Sequence, residues 1–228
     1  MILAAKCQPK IDILKDVYNA GIEAVELYLT GLLLEDIPFI KNICQNFSLR
    51  YALHAPTNGC AVEKLAEFAE AIKAEVVVFH NIYWDDEWDG IVKLFKGLSI
   101  QLCIENVYST LEPIKLMRRY QMGCCLDVEH MQLACSGVYE EAFLRIMREA
   151  SHVHLTGYKF GSNLWHTPIH HSPEHNSLIL GLLNKAEYGG FVVSEAEPSF
   201  QTFDEFKKLK IYFDEWKEHN EDLSGISA

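Results

Sequence analysis

The sequence predicts an α/β chain folded as a single (β/α)8 TIM barrel, and three observations lead there. Short β-branched runs alternate with amphipathic helical stretches along the whole length, eight such runs occur, and the turn after the first run, Lys6-Cys7-Gln8-Pro9, holds no glycine. Strands separated by helices imply parallel crossovers, and eight such units close naturally on themselves. The competing open, doubly wound sheet would bind its ligand through a glycine-rich turn at that first position.

Taken in order, the first expected strand is Ile2–Ala5, followed by a helix on the stripe Ile11, Leu14, Val17. Gly21 then stands where a helix often ends in a left-handed residue. Strands follow at Glu23–Tyr28 and Arg50–His54, with a helical stripe at Val62, Leu65, Phe68 and Ile72. The fourth and fifth strands are Val76–His80 and Gln101–Glu105. Ser109 with Glu112 forms a capping box for the helix after them. Gly123–Asp127 and His152–Leu155 are the sixth and seventh strands. Gly189–Gly190 is expected to end the next helix in a left-handed turn before the eighth strand, Phe191–Glu195. A second capping box, Thr202 with Glu205, opens the last helix, whose stripe is Phe203, Phe206, Leu209, Phe213 and Trp216. No linker interrupts residues 1–219, which read as one domain. Residues 220–228 read as a frayed polar tail.

The chain has 228 residues, of which 49% are hydrophobic, enough to bury one sizeable core. No apolar run reaches the eighteen or so residues of a membrane span. Met1–Lys6 lacks a basic stretch leading into an apolar segment, so no leader is expected. Seven cysteines are scattered without a CxxC pair, which suits reduced thiols and a cytoplasmic setting. Acids outnumber bases 32 to 20, a net charge of −12, which weighs against a phosphate-backbone partner. Two small basic clusters, Lys207/Lys208/Lys210 and Arg118/Arg119, read as solvated helix faces.

Six expected strands deliver His, Asp or Glu at their C-terminal ends: His54, His80, Glu105, Asp127, His154 and Glu195. Ten His and 32 Asp plus Glu in 228 residues fill about one position in five, and fewer beside buried strands. Six coincidences are therefore hard to attribute to chance. In a barrel these ends converge on the mouth, where active sites sit. Carboxylates packed together there repel and protonate unless a cation neutralises them, so at least one divalent metal is expected. A lone strand-end His is usually a hydrogen-bonded core residue, and His152 and His219 take that reading. Glu26 lies mid-strand, either salt-bridged inside the barrel or directed at the site.

At these residues the chain resembles the xylose isomerase-like TIM barrel superfamily, which holds sugar isomerases and epimerases and the endonuclease IV group of apurinic nucleases. The resemblance runs from Gly21-Ile-Glu-Ala-Val-Glu-Leu27 to Glu195. It implies that Glu105, Asp127, His154 and Glu195 match the metal set of the ketose epimerases, with Glu105 and Glu195 as the proton-transferring pair. Glu197, on the same face as Glu195, is a possible replacement. Toward the endonuclease IV group, the resemblance implies that His54 and His80 join Glu105 at a second metal, with the glutamate bridging. His130, in Asp127-Val-Glu-His130, would serve a third. The pattern departs after His154, where that group has an acidic residue and then Asp-x-His. This chain has Thr156-Gly157-Tyr158 and later Trp165-His166-Thr-Pro-Ile-His170-His171. His166 or His170 would have to supply the substitute ligand or act on a lid, the long loop 157–175.

An oxygen-rich set suits Mn, Mg or Co, while imidazoles pull the preference toward Zn. Trp84, Trp88 and Trp165 are expected on loops at the same end, where aromatic surfaces suit sugar rings but also pack loops down. No lysine stands at an expected strand end, leaving Lys159 in the seventh loop as the candidate phosphate contact. Three functions fit: a metal-dependent isomerase or epimerase of a small carbohydrate-like substrate, a phosphoester hydrolase with two or three metals, and a non-catalytic metal-binding barrel. The acidic charge favours the first, and the extra histidines favour the second.

Overall fold

The computed structural model describes residues 1–107 and 112–224. Eight parallel strands close in sequence order, β1 pairing with both β2 and β8. They are β1 (Ile2–Cys7), β2 (Ala24–Tyr28), β3 (Arg50–His54), β4 (Val76–Phe79), β5 (Gln101–Glu105), β6 (Gly123–Asp127), β7 (Ala150–Leu155) and β8 (Phe191–Ser194). Helices α1 (Ile11–Asn19), α2 (Ile37–Cys44), α3 (Val62–Ala71), α4 (Asp85–Phe95), α5 (Glu112–Tyr120), α6 (Val128–Cys135), α7 (Glu140–Met147), α8 (Pro173–Lys185) and α9 (Phe203–Ser224) surround them. The molecule is a single (β/α)8 TIM barrel.

Strand alternation divides the core in two. Outward residues such as Leu3, Val25, Leu27, Leu53, Val77, Ile104, Leu126 and Val153 pack under the helices. Inward residues form a separate cluster of mostly small side chains: Ala4, Ala24, Ala52, Val76, Val78, Cys103, Cys125, Phe191 and Val193. Leu14 and Val17 of α1, Leu65 and Phe68 of α3, and Phe206, Leu209, Phe213 and Trp216 of α9 bury the expected stripes. Ile11 and Phe203, at the helix starts, stay exposed.

Several local expectations are corrected. Strand β1 continues two residues past Ala5, because β pairing with Glu26 and Leu27 of β2 carries Lys6 and Cys7 into the sheet. The left-handed residue after α8 is Glu187, with φ of 58°, not Gly189 or Gly190. Gly190 is required for space instead, since a Cβ there would lie 2.5 Å from the Tyr188 hydroxyl. Gly21 does take positive φ, at 81°. Trp88 is not on a loop: it lies within α4 and is buried against Phe79 and Tyr83. Ser109 of the expected Ser109–Glu112 box lies outside the described residues, and Glu112 is the first residue of α5. Helix α9 runs to Ser224, past the point where the tail was expected to begin, and residues 225–228 are outside the described set. Among the described residues no helix is long and apolar enough to cross a membrane.

Candidate metal centre at the barrel mouth

The inward positions one step above the small-residue layer are Lys6, Glu26, His54, His80, Glu105, Asp127, His154 and Glu195, one from each strand or the residue just past it. The side-chain period of two in a β-strand produces this ring: each polar residue follows an inward Ala, Val, Cys or His by two positions. The ring includes the six strand-end residues read from the sequence. One member was missed, and one was left between two readings. Lys6 stood outside the expected strand; Glu26, expected either salt-bridged inside the barrel or directed at the site, is salt-bridged inside it to Lys6 and lies beside His154.

Glu105 is the hub. Its Oε2 lies 3.1 Å from His54 Nε2, 3.4 Å from His80 Nε2 and 3.4 Å from His154 Nδ1, and its Oε1 lies 3.4 Å from His130 Nδ1. Glu195 Oε2 approaches the same His154 Nδ1 to 2.9 Å, while its Oε1 accepts from Lys6 Nζ at 2.8 Å. Asp127 Oδ2 sits 4.0 Å from His154 Nδ1 and 3.6 Å from His130 Nδ1. Three overlapping groups of donor atoms result, each within 4.8 Å of one another: His54/His80/Glu105, Glu105/Asp127/His130 and Asp127/His154/Glu195. All seven side chains assigned as ligands from the sequence therefore meet at one end of the barrel. Glu197 does not join them; it is exposed, and its backbone N–H donates to His166 O at 2.8 Å.

Counting donors and acceptors tests whether these residues suit a cation. His54 Nδ1 faces the Ala55 carbonyl at 3.1 Å, so Nδ1 carries the proton and Nε2 offers a lone pair toward Glu105. His154 Nε2 donates to Glu26 Oε2 at 3.0 Å, which leaves Nδ1 bare. His154 Nδ1 and Glu195 Oε2 are both buried, and neither has a partner in hydrogen-bond geometry. Lone pairs aimed at carboxylate oxygens repel unless the ring is an imidazolium or a cation lies between them. Burial holds the His54 pKa below its ordinary value, whereas at His154 burial is outweighed by the acidic groups around it, Glu26 and Glu195 among them, which raise the pKa well above; this ring therefore either carries a second proton or faces a cation. The donor set fits a divalent metal. Glu26 is the outer carboxylate that orients it: Oε2 also accepts from His152 Nε2 at 2.7 Å, and Oε1 is 3.2 Å from Lys6 Nζ.

Electrostatics follow from crowding. Burial opposes ionisation of Glu105, but the His154 charge and the hydrogen bond from His130 outweigh it and hold the carboxyl well below the usual range. Burial together with Glu105 and Glu195 pushes Asp127 up to about 7. Burial pulls His130 down, yet its hydrogen bond to Glu105 and the Asp127 charge lift it to about 9. Its folded value thus lies above its unfolded one, near 6.5. The stabilisation from its proton is complete below about pH 6.5 and is lost as pH rises through about 9. The chelated protein should therefore lose thermal stability between those pH values, and His130→Asn should flatten that loss. An equal decline in both proteins would contradict it.

The loop after β7 closes one side of the mouth. Gly157 N–H donates to Thr167 O at 2.7 Å, and buried Asn176 bonds Thr156 O and Ile169 O. A Cβ at Gly157 would overlap Thr167 Oγ1 and come 2.8 Å from Pro168 O. Gly157→Ala should cost about 1–3 kcal/mol through overpacking and make the loop cut sooner in limited proteolysis. Unchanged cutting would refute that packing. Buried Glu129 accepts from Thr156 Oγ1 at 2.6 Å and from His166 N at 3.2 Å, which sets His166 at the rim. Lys6, Gln8, Tyr28, His166, Glu195 and Gln201 help line a cavity of ≈ 350 Å³ there. Trp165 stacks on Tyr158 at 4.3 Å between ring centres, and Trp84 is exposed at the start of α4. His170 belongs to neither rim nor ring; it lies beside α9 with His171 and Glu205. Lys159 is exposed on the same loop, and it is Lys6 that stands at the mouth.

No protein-family model matches the sequence, and neither does any curated protein. Similar solved structures do exist. An L-ribulose 3-epimerase shares 11% identity over 100% of this chain and 99% of that one, at a TM-score of 0.64. The tryptophan synthase α-subunit of Pyrococcus furiosus shares 14% over 93% and 97%, at 0.60. Phosphoribosylanthranilate isomerase of Thermotoga maritima shares 14% over 93% and 98%, at 0.56. At such identities the likeness establishes the barrel, and chemistry has to be argued from the mouth itself.

Proposed function

We propose that this barrel is a cytoplasmic metal-dependent isomerase or epimerase of a small sugar or polyol-like substrate, allied to the xylose isomerase-like superfamily. One observation carries the reading. Glu105 of β5 and Glu195 after β8 approach the same His154 nitrogen, at 3.4 and 2.9 Å, from positions three strands apart. Two carboxylates directed at one point from separate strands are what proton removal and return at one carbon require. A divalent ion held by Glu105, Asp127, His154 and Glu195 would polarise a carbonyl and its neighbouring hydroxyl, acidifying the C–H between them. Lys6 keeps Glu195 ionised and the surrounding imidazoles keep Glu105 ionised, so either carboxylate can take the proton from the substrate carbon. The ≈ 350 Å³ cavity matches a small polar molecule, with Gln8, Tyr28 and His166 placed to bond hydroxyls. The fold shared with an L-ribulose 3-epimerase over the full chain also supports it.

The test is incubation with a panel of ketoses and aldoses in deuterated water with added Mn, Co, Mg or Zn. Metal-dependent incorporation of deuterium beside the carbonyl, abolished by a chelator, is expected. No exchange with any metal or sugar would reject the proposal.

A second reading, a two-metal phosphoester hydrolase, is favoured by Glu105 belonging both to the His54/His80 group and to the Asp127/His130 group. The number of ions lost on Glu105→Gln separates the two: one supports the isomerase, and two or three support hydrolysis, for which nicking of abasic DNA is the assay. Metal binding without either activity would leave a non-catalytic binding barrel.

A further inference from the structure

Away from the mouth, two consecutive histidines converge on one carboxylate oxygen. His170 Nε2 and His171 Nε2 each lie 3.0 Å from Glu205 Oε2, and the two rings meet edge to face at 4.8 Å between centres. The histidines end the short 3-10 turn Ile169–His171, and Glu205 sits in the first turn of α9. Adjacent side chains usually diverge, so such convergence calls for a cause. Charge neutralisation is not that cause, because Lys208 Nζ already pairs with Glu205 Oε1 at 2.7 Å.

Helix capping does not explain it either. Thr202 Oγ1 accepts from Glu205 N at 3.4 Å, one half of a capping box. The reciprocal bond, from Thr202 N to the glutamate side chain, is replaced by one from Thr202 N to Phe200 O at 2.9 Å. Glu205 is turned instead toward the imidazoles, and His171 is held edge-on against Phe200, 5.1 Å between ring centres.

We propose that His170, His171 and Glu205 form a second metal site, separate from the mouth, that takes one zinc-class transition-metal ion and ties the β7–α8 loop to α9. The three donor atoms lie within 4.8 Å of one another, and the side chains are 11%, 27% and 18% exposed, so an ion reaches them from solvent. Tetrahedral zinc bonds of about 2.0–2.1 Å place neighbouring ligand atoms roughly 3.3 Å apart, close to the 3.0 Å between each imidazole and the carboxylate. Two imidazoles with one carboxylate select zinc over magnesium or calcium, and the fourth position falls to water. Each imidazole exchanges the Nε2 proton it now donates to Glu205 for the ion, keeping its remaining proton on Nδ1.

Zinc content per chain after dialysis, in wild type, His171→Ala, Glu205→Gln and Glu105→Gln, tests this site and keeps it distinct from the mouth. His171→Ala and Glu205→Gln should each lose one ion, and Glu105→Gln should keep that ion while losing those at the mouth. Cobalt added to Glu105→Gln should give a tetrahedral visible spectrum that the further change His171→Ala removes. Equal zinc in wild type, His171→Ala and Glu205→Gln, or no cobalt spectrum in Glu105→Gln, would overturn the assignment and leave a hydrogen-bonded loop anchor.

Discussion

Glu105→Gln is expected to empty the mouth of metal and lower activity by about 10³-fold or more, with the barrel's circular dichroism unchanged. The size follows from two roles lost together, since removing a positioned proton donor alone costs on the order of 10²–10⁴-fold. Glutamine keeps the shape but bears no charge, so it cannot serve the three imidazoles that Oε2 faces or the one beside Oε1. The fold survives because the ring stands one layer above Ala4, Ala52, Cys103 and Cys125, which fill the barrel. Glu197→Gln is the control: this residue lines the rim cavity but is exposed and outside the cluster, so metal should be retained. Full metal content in Glu105→Gln would remove the hub from the proposal.

Lys6→Met should have the largest effect on stability. Lys6 is 8% exposed and bridges Glu26 at 3.2 Å and Glu195 at 2.8 Å. Removing one partner of a buried ion pair typically costs about 3–5 kcal/mol, because the charges left behind are uncompensated. At about 2–4 °C per kcal/mol for a chain of this size, the melting midpoint of the chelated protein should fall by roughly 10 °C. Added divalent metal should restore more of that loss than it adds to wild type, since the cation then meets two unpaired carboxylates. Acid should narrow the gap. Burial opposes ionisation of Glu26, but His154 and Lys6 hold its pKa well below the usual 4.5, so its stabilisation is complete above that unfolded value and is lost as pH falls beneath it. A midpoint within a degree of wild type at neutral pH would show that Lys6 is not the counter-charge assigned here.

How much was legible in the sequence depends on which physical scale set each feature. Strands β3, β5 and β6 match their expected bounds because β-branched and apolar runs end abruptly there at His54, Glu105 and Asp127. The same abruptness made the candidate ligands visible, since a polar residue closing an apolar run is a local signal. Lys6 was hidden by that rule. The run Ile2–Ala5 ends before it, and only pairing with β2 carries the strand onward. Applying strict alternation from Ala4 would have found it. Trp88 was misplaced because the acidic stretch Asp85-Asp86-Glu87 reads as a loop, although it forms the first turn of α4. The grouping of His170, His171 and Glu205 left no sequence signal, because it requires a loop to dock on a helix 34 residues further along.

Every strand contributes one member to the ring, itself or through the residue just past it, and for the proposed metal centre this has a consequence for loading during synthesis. Lys6 leaves the ribosome with the first strand and Glu195 just after the last, so no nascent chain that stops short of Glu195 possesses the complete donor set. His54, His80 and Glu105 are available half-way, yet they gain their outer supports only when His154 and Glu195 arrive. On the proposed metal centre, full loading would wait on closure between β1 and β8, and two fragments split in α5, α6, α7 or α8 should capture the ion only after they reassociate.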